Sequence, residues 1–340
     1  MDSPNSPDIN DSTVKVGTMN FPHHFVHYDN HLMFLDISED GHMLLGAGDL
    51  SGRYWSSSIY YSKEAKTSLN KENSRTTQDM ENVLCCGKIL ESGKKIVVGD
   101  DVGKIFLASV KVEENDNLVL NMLVGAADHD SAVLALSLSP DKKKLVSGGI
   151  DMCIKVWDVS ESLSTLFTYR PAHSKMVTDV AYSPNSDTVF ASCSHDGSAV
   201  LWDTRQITKP ALALKRECEE RLEAGCWLGE NVLAVGSAYG NIMLIDTRMK
   251  AILGQTECFK QKTGSRPLHS LVSNSNGILA ACGDTNEVKV FETSSECLKQ
   301  IYTSASHDDF VRGLAWHPKT SHLYSCGFDS TVKCHDISKS

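Results

Sequence analysis

The chain repeats itself. Lys155-Val156-Trp157-Asp158 and Val200-Leu201-Trp202-Asp203 each close an apolar stretch that follows a turn, Ile150-Asp151 in one and His195-Asp196-Gly197 in the other. The same slot returns as Leu244-Ile245-Asp246, Val290-Phe291-Glu292 and Cys334-His335-Asp336, and the closing acidic residues lie 45, 43, 46 and 44 positions apart. Six residues ahead of the slot a series of turns runs the length of the chain, at Asp49, Asp101, Asp151, Asp196, Tyr239, Thr285 and Asp329. There are therefore seven units. A unit of this length cannot bury its own apolar face, so neighbouring copies must share a core.

Within a unit the pattern is that of strands. Val133-Leu134-Ala135-Leu136-Ser137-Leu138 alternates, Ser139-Pro140 breaks it, and Lys144-Leu145-Val146-Ser147 resumes. No stretch carries the 3.6-residue periodicity and caps of a helix. The fold class is all-β, a seven-bladed β-propeller, and a period of ~40–45 with a Trp-Asp ending is its signature. Only four residues follow Asp336, too few for another strand. Phe25-Val26-His27-Tyr28 is the candidate to close the last blade from the other end of the chain, removing an exposed sheet edge. Residues 1–20 read as a disordered tail, residues 21–340 as one propeller, and residues 63–81 as a polar loop inserted into the first blade.

Composition narrows the setting. A net charge of −10 argues against generic nucleic-acid binding and favours basic partners. No run approaches the ~18 apolar residues of a membrane span. Eleven cysteines, odd in number and scattered through apolar runs, read as buried thiols of a reducing compartment, which sets the expectation of a cytoplasmic and nuclear protein.

The units resemble those of WD-repeat proteins, over roughly residues 25–336. In that family a His before the first strand, a Ser or Thr on the second, the turn Asp and the Trp form a hydrogen-bonded tetrad. The resemblance assigns His129, Ser147, Asp151 and Trp157 to this role in the third blade, and His173, Ser192, Asp196 and Trp202 in the fourth. In the seventh it assigns His307, Ser325 and Asp329, with His335 where Trp is expected. Blades two, five and six lack most of the set, so their turns are expected to rest on apolar packing. His and Asp beside Ser share the residue types of a catalytic site, but a group built three times over is structural.

Some segments resemble one branch more closely, the WD-repeat subunits of methylosomes. These are Leu44 to Trp55, Asp151 to Asp158, Phe190 to Arg205, and His307 to Arg312 with Trp316. The resemblance implies a non-catalytic partner of the type II protein arginine methyltransferase, assembled four of each. It also implies presentation of arginine-rich substrates such as histones and Sm proteins, with S-adenosylmethionine belonging to the enzyme and no cofactor here. Its docking loop falls on Leu50, Ser51, Gly52, Arg53 and Trp55. A structural reading competes, because Trp55 stands six after Asp49, as a tetrad Trp should. Position 45, however, is Leu rather than Ser or Thr.

Other motifs carry less. Gly46-Ala47-Gly48-Asp49-Leu50-Ser51-Gly52 lacks the helix that a phosphate-cradling loop needs. His23, His24 and His27 have no Cys or carboxylate at metal-ligand spacing, and no metal is expected. Trp202-Asp203-Thr204-Arg205 resembles the Trp-Asp-x-Arg box of cullin-RING ubiquitin-ligase receptors, which keeps that function and a generic scaffold as alternatives.

Overall fold

The computed structural model describes residues 31–49, 56–66, 75–112, 118–206, 210, 212–214, 220–259, 266–293 and 298–337. It contains 27 strands and, among the described residues, no α-helix. The first blade is β1 (Leu32–Ile37), β2 (Met43–Asp49), β3 (Ser56–Ser62) and β4 (Arg75–Met80). The second is β5 (Leu84–Glu91), β6 (Lys95–Asp100), β7 (Lys104–Val112) and β8 (Leu118–Ala127), and the third is β9 (Val133–Leu138), β10 (Lys144–Gly149), β11 (Ile154–Asp158) and β12 (Ser164–Tyr169). The fourth follows as β13 (Val177–Tyr182), β14 (Val189–Ser194), β15 (Ala199–Asp203) and β16 (Leu212–Leu214). The fifth is β17 (Leu222–Leu228), β18 (Val232–Ser237), β19 (Asn241–Asp246) and β20 (Ala251–Glu257), and the sixth is β21 (Leu268–Ser273), β22 (Ile278–Gly283), β23 (Val288–Thr293) and β24 (Leu298–Ser304). The seventh is β25 (Val311–Trp316), β26 (His322–Gly327) and β27 (Val332–Asp336). Every blade is an antiparallel meander, with the first strand of each on the central channel.

The core lies between blades. One apolar cluster joins Leu32, Met43 and Leu45 of the first blade to Ala315, Tyr324 and Cys326 of the seventh, which closes the ring by packing. Polar stitches reinforce the sequence of blades. Asp36 accepts from the Ile89 amide at 2.9 Å, Asp179 accepts from Gly225 at 2.7 Å, and the Trp316 indole donates to the Val272 carbonyl at 3.1 Å. Burial pushes the Asp179 carboxyl up to about 6. The cysteines that are described form no disulfide, and burial pushes the thiols of Cys86, Cys193 and Cys282 well up.

One sequence expectation changes. Residues 75–80 are not part of a polar insertion but the outer strand of the first blade, with Thr77 opposite Tyr60 and Arg75 opposite Ser62. The run Arg-Thr-Thr-Gln-Asp-Met has no apolar alternation to announce a strand, because an outer strand packs little of its surface. The tail at 1–20 and the closing segment Phe25–Tyr28 lie outside the described residues. Among the described strands β27 has no neighbour on its outer side, so the closing expectation stands as a test. Deleting residues 1–20 should leave the melting temperature unchanged, whereas deleting through Tyr28 should lower it by roughly 5 °C or more, about 2 kcal/mol for a domain of this size. Equal melting temperatures would show that the blade is completed otherwise.

Candidate docking surface

The tetrads form. In the third blade Asp151 Oδ2 lies 2.9 Å from His129 Nδ1, His129 Nε2 lies 2.7 Å from Ser147 Oγ, and the Trp157 indole donates to Ser147 at 2.8 Å. The carboxylate can only accept, so His129 donates from Nδ1 and accepts the serine proton at Nε2. The fourth blade repeats the chain through Asp196, His173, Ser192 and Trp202, with distances of 3.0, 2.7 and 2.8 Å. Hydrogen bonds from the histidine and from backbone amides hold Asp151 and Asp196 below the usual carboxylate range against the opposing effect of burial. These buried polar groups are fully partnered, and each such bond contributes ~1 kcal/mol.

The seventh blade is complete as well. Asp329, His307 and Ser325 hold the same geometry, at 2.9 and 2.7 Å. His335 fills the Trp slot with its Nε2 2.8 Å from Ser325 Oγ, and its Nδ1 meets the Tyr302 hydroxyl at 3.1 Å. Burial, then His307 and Lys333, push His335 down to about 4. It is therefore a neutral donor in place of an indole. Sequence reasoning missed this partner because Tyr302 is 33 residues away on the preceding blade.

Blades two, five and six differ from expectation. Their turns are capped by polar side chains rather than resting on apolar packing alone. Asp100 accepts from the Val102 and Lys104 amides, Ser237 from Tyr239 and Asn241, and Thr285 from Glu287. Three residue types serve one function, so no common motif betrays it.

The first blade departs most. In the other six blades a buried residue on the second strand lies 12 positions before its partner on the third, as with Leu145 and Trp157, Ile96 and Ala108, or Leu323 and His335. The corresponding pair here is Leu44 and Tyr61, 17 positions apart. The Trp slot is thus occupied by Tyr61, fully buried, whose hydroxyl lies 3.0 Å from His42 Nδ1 and accepts the Gly93 amide at 2.8 Å. Five extra residues lengthen the hairpin, and β2 and β3 pair out to Asp49 and Ser56. Asp49 is accordingly a ladder residue rather than the turn. Leu50, Ser51, Gly52, Arg53 and Trp55 lie outside the described residues, but the core position that competed for Trp55 is taken.

The ubiquitin-ligase box is also explained locally. Arg205 folds back on Asp203, with its Nε 2.9 Å from Oδ1, while its amide donates to the same carboxylate at 3.0 Å. Asp246-Thr247-Arg248 builds a similar turn one blade on, with the Arg248 amide 2.8 Å from Asp246. The box acts here as turn chemistry.

The central channel encloses about 620 Å³. The register of all seven inner strands shifts at the same place, freeing the second residue of each. Met33, Cys85 and Leu134 line one side of the channel mouth; Thr178, Glu223, His269 and Arg312 line the other. Glu223 pairs with His195 at 2.8 Å, and His269 Nε2 lies between Asp284 at 2.5 Å and Arg312 at 2.7 Å. No cluster of His, Cys, Asp and Glu with the geometry of a metal site occurs among the described residues. His23, His24 and His27 lie outside them.

Seven sheets around a channel, two of them braced internally by His–Ser–Asp–Trp chains and a third by the variant with His335, define a WD-repeat β-propeller. The family model "WD domain, G-beta repeat" matches residues 123–158, 162–203 and 298–336. The solved structure titled "Crystal Structure of Mitotic Checkpoint Complex" holds a chain of the same fold, with a TM-score of 0.73 at 19% identity, covering 98% of this chain and 96% of that one. "Protein valois" of Drosophila melanogaster is 23% identical over 66% of this chain and 65% of its own length. "Methylosome protein WDR77" of Xenopus laevis is 31% identical over 88% of this chain and 87% of its own. The chain belongs to the family of this methylosome WD-repeat protein.

Proposed function

We propose that this chain is the non-catalytic WD-repeat subunit of a protein arginine methyltransferase complex that makes symmetric dimethylarginine. It scaffolds the enzyme, four of each subunit, and presents histone and Sm-type substrates in cytoplasm and nucleus. One observation carries the docking assignment. The first-blade hairpin is five residues longer than its six counterparts and Tyr61 fills the core slot that competed for Trp55, which supports a docking role for Arg53 and Trp55. A large rigid aromatic beside a guanidinium is the composition of an interface anchor. The kinship with a methylosome protein supports the partner's identity.

Affinity purification of the tagged chain at mild salt should recover a methyltransferase stoichiometrically, and the chain freed of it should neither bind S-adenosylmethionine nor methylate peptides. Recovery of a ubiquitin-ligase adaptor instead, or turnover by the isolated chain, would overturn the reading. The charge of −10 supports basic substrates, so capture of an arginine-rich tail should weaken as ionic strength rises through the physiological range. A flat response would assign recognition to specific pockets.

A further inference from the structure

We infer that the outer edge of the second blade is a docking edge, on which an uncharged, extended segment of the methyltransferase adds as a further strand beside the first-blade hairpin. The inference rests on the proposed function and extends its contact surface.

β8 is the longest of the described strands, with ten residues, and among them it is hydrogen-bonded to β7 alone. Its sequence, Leu-Val-Leu-Asn-Met-Leu-Val-Gly-Ala-Ala, contains no charge and no proline. Outer strands that must stay unpaired carry such residues or are kept short. The others here comply: β4 has Arg75 and Asp79, β20 ends in Glu257, β24 has Lys299, and β16 spans three residues. β12 is also uncharged, but it is only six residues long and ends beside Arg170. β8 is unguarded.

The two halves of β8 differ. Leu118 and Leu120 are buried in the core shared with the first blade, where Met80 of β4 packs. Beyond them Met122, Leu123 and Val124 are 37%, 53% and 40% exposed, three apolar side chains in a row. A register shift opposite Leu107 and Ala108 leaves Leu123 without a partner on β7. Apolar groups thus face solvent on both sides of a strand whose outer edge still offers its main-chain donors and acceptors. Such an edge is completed by another strand.

Position selects the occupant. Ala127 pairs with Lys104, the first residue after the turn of the second blade that joins its middle strands. The exposed half of β8 therefore points to the face on which those turns lie, and the long hairpin of the neighbouring first blade opens on the same face. Val102, at the intervening turn, is 49% exposed. Chemistry excludes the substrates, because an arginine-rich tail finds no carboxylate along this strand. What remains is the body that receives the hairpin.

The test uses the full chain with its methyltransferase. Leu123→Lys combined with Val124→Lys should leave the melting temperature of the free chain near that of the unmodified one, since both positions are exposed. It should weaken the complex ~10-fold or more. In the unmodified protein, amide hydrogen exchange over residues 118–127 should be fast in the free chain at its outer-facing positions and slow in the complex. Full binding by the double-lysine variant while Trp55→Ala abolishes it would remove the edge inference and leave the hairpin reading intact. Full binding by Trp55→Ala would remove the hairpin reading itself. Slow exchange across β8 in the free chain, from self-association or an internal cover, would overturn the docking edge. Should the double-lysine variant fail to fold, the exchange comparison on the unmodified protein decides alone.

Discussion

Trp55→Ala is expected to leave the propeller folded and to release the methyltransferase. An anchor residue of this kind typically carries on the order of 2–4 kcal/mol, a loss of ~30-fold to ~1000-fold in affinity. The matched control is Tyr61→Ala. Tyr61 is fully buried and bridges His42 to the Gly93 amide, so its removal opens a cavity and strands two polar groups. It should cost roughly 3–5 kcal/mol of stability. Melting curves and pull-downs on the two variants therefore give opposite patterns. A destabilised Trp55→Ala would return that residue to the core and sink the docking assignment.

The second large effect is in the response to acid. His335 sits near 4 in the folded chain and at the ordinary 6.5 when exposed. Above 6.5 it is neutral in both states. Between 6.5 and 4 only the unfolded state takes up the proton, so stability falls as pH falls through this window, by as much as ~3 kcal/mol at its lower end. His307, also lowered by burial, adds to the slope, and below that window the depressed carboxylates of Asp151, Asp196 and Asp329 extend it. Replacing His335 with Trp restores the indole donor to Ser325 and removes one titrating group. Unfolding measured from pH 7 to 5 should show the variant losing about 2 kcal/mol less than the parent. Parallel pH profiles would show that His335 does not titrate on unfolding.

Much of this was legible beforehand, for reasons that lie in periodicity. Seven spaced turns and alternating apolar runs specify blades, and in two tetrads the Trp stands 10 residues after the Ser, with the His 18 or 19 before that Ser. What escaped notice lacks either feature. β4 is an outer strand without alternation. Tyr302 reaches His335 across a blade boundary, which no local spacing records. Tyr61 was hidden by the lengthened hairpin, because counting six residues from Asp49 reaches the core slot only if the turn has its usual length.

The register shift shared by the seven inner strands has one more consequence. Each blade contributes one side chain to the channel lining from a position that has left the hydrogen-bonding ladder. Seven letters, one per blade, thus write the chemistry of the opening, apolar over Met33, Cys85 and Leu134 and ionisable over Glu223, His269 and Arg312. The ionisable letters are read together across blade boundaries, Glu223 with His195 and His269 with Arg312, while the sheets beneath keep their own pairing.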